Sequence, residues 1–298
     1  MRNQHLVSII TIAYNRPRIL QEFLDAVYTS SYKEFEIIVM NNSRKELRNE
    51  YETLLKTYMR VKHIWNEKNL LIAGAWNAGL KEAKGDLILF CGDDYIFDKD
   101  MLDYLMESID QSADVGIAGP MLYYTNGDML IPTASLSLST GIPMLKKCLA
   151  GDNAVRIIDG VIMMKCEVLR KIGGFDEKNF PFYMESADFC MRAFNAGYKS
   201  VLRFEAKATH KHLPLKAYII PNPERYVNPA TYYYLMTTKI KYIRKYANIL
   251  QKMIFFPVFL PLLFIWHMSV IIIRGRKDVW IKSSNLGRGV INGLFSKL

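Results

Sequence analysis

The first 120 residues alternate short apolar runs with amphipathic stretches. Residues 6–13, 35–40, 61–65 and 86–91 are brief, rich in Ile, Val or Leu, and read as strands buried on both faces. Between them the period changes from two to about 3.6. After Pro17, a residue suited to the first helical position, Ile19, Leu20, Phe23, Leu24 and Val27 share one face. Further helical patterns cover 45–58 and 71–83. Strands alternating with helices predict an α/β fold, with a mostly parallel sheet covered on both faces. In such sheets ligands bind beyond the carboxyl ends of the strands, here after Ala13, after Met40 and after Cys91.

Beyond Pro120 the regularity weakens. Residues 121–156 carry turn signals (Asn126-Gly127-Asp128, Gly141, Gly151-Asp152-Asn153) and no clear period, so they read as a loop region. Order returns over 157–165, with a helical stretch at 166–172 and then Gly173-Gly174-Phe175-Asp176. The glycine pair permits a tight turn, and Phe175 is expected to anchor the following loop in the core. A helix follows over 185–196, closed by Gly197. A strand at 199–204 leads to His210-Lys211-His212. Trp65 and Trp76 read as core.

The last third differs in kind. The chain carries a formal charge of +10, yet residues 215–298 alone hold 13 Lys and Arg against Glu224 and Asp278, a surplus of +11. The preceding 214 residues balance to −1. A nucleic-acid-binding unit would carry its basic groups on the folded domain itself, so a nucleic-acid partner is not expected. A basic tail held against anionic lipid fits better. Residues 253–273 contain no charged side chain, and as a straight helix they would reach about 31 Å, close to the hydrocarbon thickness of a bilayer. Pro257, Pro261 and His267 interrupt the run. Three readings stand: a buried helix, a single span, or an interfacial helix. The sequence start has only a short apolar run broken by Ser8 and Thr11, unlike a secretory leader. The four cysteines form no CxxC pair, which fits a reducing compartment. The catalytic part is therefore expected on the cytoplasmic face of the cell membrane.

The strongest local chemical signal is LILFCGDDYIF, an apolar strand running directly into Gly92-Asp93-Asp94. Adjacent carboxylates at a strand end repel unless a cation or hydrogen-bond donors sit between them. Carboxylate oxygens suit Mg²⁺ or Mn²⁺, which also bridge phosphates. An ordinary solvated acidic turn is the plainer alternative. Together, VSIITIAYNR, EIIVMNNS and NEKNLLIAGAWNAGLKEAKGDLILFCGDD resemble the inverting family 2 glycosyltransferases with the GT-A fold. DGVIMMKCEVLRKIGGFDEKNFPFYMESADFCMRAFNAGY, followed by a His, resembles the second half of that family, particularly its rhamnosyltransferase-like branch that builds bacterial surface polysaccharides. The resemblance covers about residues 6–212, and ATYYYLMTTKIKYIRKYAN is similar to the stretch that follows the catalytic domain in that branch.

The resemblance implies a GT-A catalytic domain over 1–214, with a nucleotide-binding half (about 1–119) and an acceptor half (about 120–214), followed by a helical membrane-associated tail over 215–298. It implies a UDP- or dTDP-sugar donor, a saccharide acceptor (lipid-linked, given the tail) and a divalent metal. Carried over by position, Ala13, Tyr14, Asn15 and Arg16 would contact the nucleotide, Asn41 the base, and Asn77 the nucleotide from the helix before the acidic loop. Asp93 would lie near the ribose or diphosphate. Asp94 would hold the metal, with His210, or His212 as the fallback; either histidine is otherwise a surface loop residue.

This chain departs from the family at three of these positions. Asn41 replaces an Asp, and Gly92 replaces the first acid of the metal motif. Glu185-Ser186 stands where the family has the Glu-Asp pair that supplies the base. A serine hydroxyl is no base at neutral pH, and removal of the acceptor's proton needs a placed carboxylate. Glu185 and Asp188 are the candidates, although Asp188 also reads as a helix N-terminal acid stabilised by the macrodipole. These departures favour, as the alternative, a non-catalytic nucleotide-sugar binder. A sugar-phosphate nucleotidyltransferase is disfavoured, because its glycine-rich phosphate loop is missing from Ala13-Tyr14-Asn15-Arg16-Pro17.

Overall fold

A computed structural model describes residues 5–130, 134–145, 154–211, 228–274 and 278–298. Its contacts divide the chain into two compact units. The first comprises Met1–Ala134, Leu145–Glu177 and Glu185–Pro214, the second Ser135–Met144, Lys178–Met184 and Leu215–Leu298.

The first unit is built on four apolar strands, β1 (Val7–Ala13), β2 (Phe35–Asn41), β3 (Val61–Trp65) and β4 (Leu87–Gly92). They lie parallel in the order β4-β1-β2-β3. Their faces are served by different helices, as the period of two requires. Val7, Ile9, Ile37, Val39 and Leu89 join the apolar face of α1 (Pro17–Thr29), where Leu20, Phe23, Leu24 and Val27 are buried. α2 (Arg48–Leu55) adds Tyr51 and Leu55 to that layer. Ile10 and Met40 meet α3 (Leu71–Leu80) on the other face, at Gly79. A Cβ there would come within 2.5 Å of Ile10 Cγ2, so only glycine allows this approach.

Beyond β4 the sheet turns mixed. β5 (Tyr95–Phe97) and α4 (Met101–Asp110) lead to β6 (Val115–Tyr124), which carries the short partner β7 (Met129–Leu130). The sequence read as loop after Pro120 therefore continues as a buried strand to Tyr124. Part of the remainder, β8 (Ala134–Leu136) and β9 (Pro143–Leu145), pairs as a separate two-stranded sheet; 131–133 and 146–153 lie outside the described residues. β10 (Ala154–Val155) sits at the far edge, and β11 (Ile162–Lys165) inserts antiparallel between β4 and β6. α5 (Cys166–Ile172) and α6 (Glu185–Asn195) precede the long β12 (Lys199–His210), which is parallel to β6 and antiparallel to β5. β12 outruns its expected end at 204 because the register shifts between Arg203 and Lys207, and pairing then resumes to His210.

The second unit is helical: α7 (Ala230–Tyr246), α8 (Ile249–Ile254), α9 (Leu260–Arg274) and α10 (Val279–Phe295). Asn248 caps α8 in a reciprocal capping box with Gln251. A π-helical turn over Phe255–Phe259 joins α8 to α9, where Pro257 and Pro261 disturb the regular ladder. α10 approaches α7 closely through Gly289 and Gly293, whose absent Cβ atoms would lie 2.6 Å from Tyr233 O and 2.8 Å from Ile240 Cβ. Thr237 Oγ1 donates to Gly289 O at 3.1 Å, and Arg244 Nη1 donates to Gly293 O and Ser296 O. One core joins Tyr232, Met236, Ile240 and Ile243 of α7 to Phe255, Leu260, Ile271 and Leu286.

Candidate active site

The register of the central strands fixes where chemistry can collect. Ala13 pairs with Asn41, and Ile12 with Gly92, so β1, β2 and β4 end level and their following loops meet. The loop after β1 is held by hydrogen bonds to the neighbouring loop and helix. Asn15 takes a left-handed conformation (φ 58°), which asparagine tolerates better than most residues. Its backbone N–H donates to Ser43 Oγ at 2.7 Å, and its Oδ1 accepts from Arg44 N at 2.9 Å. The Arg16 N–H donates to the Tyr51 hydroxyl at 2.8 Å. Ala13 is buried, whereas the Tyr14 ring is 47 % exposed. Asn41 is fully buried; its Oδ1 accepts from Ser43 N at 2.9 Å, and its Nδ2 lies 3.2 Å from His63 Nε2. One lone pair of that oxygen is thus engaged by the backbone of the following loop.

Arg16 reaches the acidic loop. Its Nη2 lies 2.7 Å from Asp93 Oδ1 and 3.1 Å from Asp94 Oδ2. Asp94 Oδ2 is also 3.6 Å from His210 Nε2, and the His210 ring stacks on Tyr95 at 4.6 Å between centroids. Pairing of His210 with Tyr95 in the β12–β5 ladder delivers that ring. Gly92 matters by what it lacks: a Cβ there would sit 2.7 Å from Asp94 Oδ1. The departure from the family's first acid therefore leaves the room that the Asp94 carboxylate occupies.

Burial dominates the electrostatics of this cluster. It pushes Asp93 up to about 7, although the Arg16 guanidinium pulls the other way and the Asp94 charge adds to the rise. For Arg16, burial lowers the pKa, but the two carboxylates outweigh it and the net shift is upward. Arg16 is thus the resident cation of the pair, a role absent from the sequence-level expectation of nucleotide contact.

The divalent metal that the family implies would need donors from this cluster. Among the described residues, no group of three or more His, Cys, Asp or Glu gathers into a closed cage. Mg²⁺ and Mn²⁺ commonly take only one or two carboxylates, with substrate phosphates completing the shell. Asp94 and His210 offer an oxygen and a nitrogen close enough to share one ion. Asp93 Oδ2 lies buried beside them without a hydrogen-bond partner among the described residues. The residues fit an open cation site completed by a phosphate ligand. His212 lies outside the described residues.

The two candidate bases have separate environments. Glu185 opens α6 after Tyr183 and Met184, consecutive non-glycine residues with φ of 66° and 63°, each a strained conformation. Its carboxyl is 7 % exposed, and Oε2 has no hydrogen-bond partner among the described residues. Burial, reinforced by the charge of Asp159, pushes it up to about 8. A Cβ at Gly160, the neighbour of Asp159, would lie 2.5 Å from the Tyr95 hydroxyl, so the 159–160 turn packs on the residue that follows Asp94. Asp188 is fully buried and pairs with Arg192 at 2.8 Å. Arg192 in turn donates to the carbonyls of Ile172 and Gly174, both at 2.8 Å.

Asn77 serves the same segment. Its Nδ2 donates to Phe175 O at 2.8 Å and Glu177 Oε2 at 2.9 Å, and its Oδ1 accepts from Phe175 N at 2.8 Å. The Phe175 ring lodges among Trp76, Phe90 and Phe189. Asn77 and Asp188 are thus committed to pinning the glycine turn and Phe175. Arg16, Asp93, Asp94 and His210 converge at the strand ends. Sequence reasoning missed Tyr51, Tyr95 and Asp159, whose relevance arises only from contacts distant in the chain.

Parallel strands that end level, with an acidic loop where the sheet switches from parallel to antiparallel, form a GT-A-type fold. A sequence profile of glycosyl transferase family 2 matches residues 8–173, more than half of the chain, and the protein belongs to that family. The poly-beta-1,6-N-acetyl-D-glucosamine synthase of Staphylococcus epidermidis is 24 % identical over 172 residues, 57 % of this chain and 42 % of its own length. The uncharacterised glycosyltransferase YwdF of Bacillus subtilis is 31 % identical over 104 residues, 35 % of this chain and 38 % of its own. The chain thus spans under half the length of these relatives. Among solved structures, GalNAc-T7 with UDP, GalNAc and Mn²⁺ superposes with a TM-score of 0.62 at 15 % identity, covering 80 % of this chain and 48 % of that one. The mannosyltransferase PcManGT of Pyrobaculum calidifontis, in complex with GDP-Man and Mn²⁺, gives 0.55 at 14 % identity, covering 99 % and 88 %. These likenesses establish the shared fold.

Proposed function

We propose that this transferase moves a sugar from a UDP- or dTDP-sugar to a saccharide hydroxyl, with inversion at the anomeric carbon, during cell-surface polysaccharide synthesis. The observation that carries the reading is the convergence of Arg16, Asp93, Asp94 and His210 at the carboxyl ends of β1 and β4 in a family 2 chain. Relatives and neighbours that make a poly-N-acetylglucosamine or hold UDP or GDP-mannose with Mn²⁺ support it. The basic, apolar tail favours a lipid-linked acceptor at the cytoplasmic face of the membrane.

Ala13 to Arg16 and Asn41 receive the nucleotide. Asp94 and His210 are the residues that would hold Mg²⁺ or Mn²⁺, which when bound neutralises charge on the departing nucleoside diphosphate. Arg16 adds a fixed positive charge in the same place. Glu185 takes the acceptor's hydroxyl proton as the acceptor oxygen bonds to the anomeric carbon and the bond to the diphosphate oxygen breaks. Its raised pKa makes it a stronger base than an ordinary carboxylate once ionised. Asn77, Asp188 and Arg192 hold the turn at 173–175 in place.

The test is a screen of UDP- and dTDP-sugars with Mn²⁺ and membrane extract as acceptor, scoring nucleotide release. Release that requires both substrates, and that Asp94→Asn abolishes, is the expected result. Nucleotide-sugar binding with no release under any donor would overturn the proposal.

A further inference from the structure

The helical unit presents an outward face of unusual composition. From Ile249 to Ile273 the exposed positions recur every three or four residues as one stripe, including Leu250, Met253, Leu262, Ile265, Trp266 and Ile273. Across 253–273 no residue of any kind is charged. Of its two polar members, His267 is turned inward and only 6 % exposed, and Ser269 is half-buried. This inverts the usual amphipathic helix, which shows water its polar side. α10 repeats the feature: Trp280 is 84 % exposed, with Ile281 beside it, while Lys282 is buried.

Such a stripe crosses a bilayer or lies on one. The packing decides between them. The inner side of α8–α9 is joined in one core with α7 and α10 through Phe255, Leu260, Ile271 and Leu286. Those partners carry Lys239, Lys241, Arg244, Lys245, Lys282 and Arg288. Threading α8–α9 across the hydrocarbon would either draw these charges in or break that core, and both are unfavourable. A second copy of the chain is a poorer occupant, because each tail bears a surplus of +11 and two would repel.

We infer that the helical unit docks flat on an anionic lipid surface, burying the α8–α9 stripe and Trp280–Ile281 of α10 together without crossing it. This rests on the membrane reading above and specifies its geometry. Exposed Trp266 and Trp280 suit the headgroup level, where indoles concentrate, and the basic surplus supplies attraction to anionic lipid.

Flotation of the full chain with phosphatidylcholine vesicles, with and without phosphatidylglycerol, tests this against Ile265→Glu and Trp280→Glu. Both residues are exposed, so folding is expected to survive, and circular dichroism checks it. Partition is expected to favour anionic vesicles and to fall about tenfold for either variant. Lipids brominated near the headgroup should quench wild type more than Trp266→Phe, and lipids brominated near the chain ends should not distinguish them. Wild-type partition by Trp280→Glu, deep quenching of Trp266, or a lipid-free dimer dissociated by Ile265→Glu would each overturn the in-plane geometry. Failure of the wild type to bind any vesicle would remove the membrane reading itself, and nucleotide binding by the other unit would be unaffected.

Discussion

Glu185→Gln separates the two consequences of burying a carboxyl beside a charged site. In the folded chain this proton is held up to about 8, whereas an exposed glutamate releases it near 4.5. Between those values the folded state binds the extra proton, so stability falls as pH rises. The contribution is fully present below 4.5 and lost as pH passes 8. At about 1.4 kcal/mol per unit, the ceiling is ~5 kcal/mol, with ~3 kcal/mol already lost at pH 7. Glutamine keeps the shape and cannot ionise, so the variant should equal wild type near pH 4.5 and exceed it by several kcal/mol at pH 8. Asp93, also pushed upward by burial, is common to both proteins and cancels in the difference.

Urea unfolding of both proteins at pH 5, 6, 7 and 8 measures this, with fluorescence of Trp76, packed against Phe90 and Phe175, reporting on the unit that holds Glu185. Turnover should move the opposite way, falling about 10²–10⁴-fold through loss of the base. A sturdier but inactive variant is the expected signature. Wild-type and variant midpoints that run parallel with pH would show Glu185 ionising as if solvated. Retained turnover would place the base elsewhere.

Arg16→Ala removes the cation already seated between Asp93 and Asp94, so Mn²⁺ should bind about tenfold tighter without nucleotide, as read by electron paramagnetic resonance; unchanged affinity would show that Arg16 does not compete. UDP should bind that variant more weakly. Asn77→Ala deletes three hydrogen bonds and strands the Phe175 N–H, for a loss of ~2–4 kcal/mol in urea unfolding; a loss below 1 kcal/mol would mean the turn holds without it. Gly289→Val drives a side chain against Tyr233 O, where a Cβ alone comes within 2.6 Å, and should lower the thermal stability of the helical unit by ~1–3 kcal/mol. Intact nucleotide binding alongside a lower transition for the helices would locate the damage.

The parallel half was legible because each of its strands is a short apolar run bounded by turn residues, and burial on both faces demands that composition. β6 was not among the strands read from the sequence, and its second half fell in the stretch read as loop. A proline predicts the end of a strand, yet here its partner Arg203 precedes the register shift in β12, so the missing N–H falls where the ladder is already irregular. Position-by-position resemblance located Asp94 and His210, which the structure brings together. It could not foresee that the Asn77 amide would be spent on Phe175 or that Asp188 would be tied to Arg192. Those engagements depend on residues 4 to 98 positions away. The left-handed pair Tyr183-Met184 carries no glycine to announce it.

Gly92 and Arg16 are best understood together. An acid at 92 would contest the space of the Asp94 carboxylate and add a third negative charge to a pocket where burial already holds Asp93 near 7. Its absence leaves two carboxylates for one guanidinium, a balance that one side chain can bridge. Arg16 does so from a backbone position held by the Tyr51 hydroxyl, its guanidinium 2.7 Å from Asp93 and 3.1 Å from Asp94. The space at Gly92 and the guanidinium of Arg16 thus bear on the same Asp94 carboxylate. Restoring the acid with Gly92→Asp should then turn the Asp94 carboxylate aside, because an added Cβ would lie 2.7 Å from its Oδ1, and so weaken the Arg16–Asp94 pair and nucleotide binding with it.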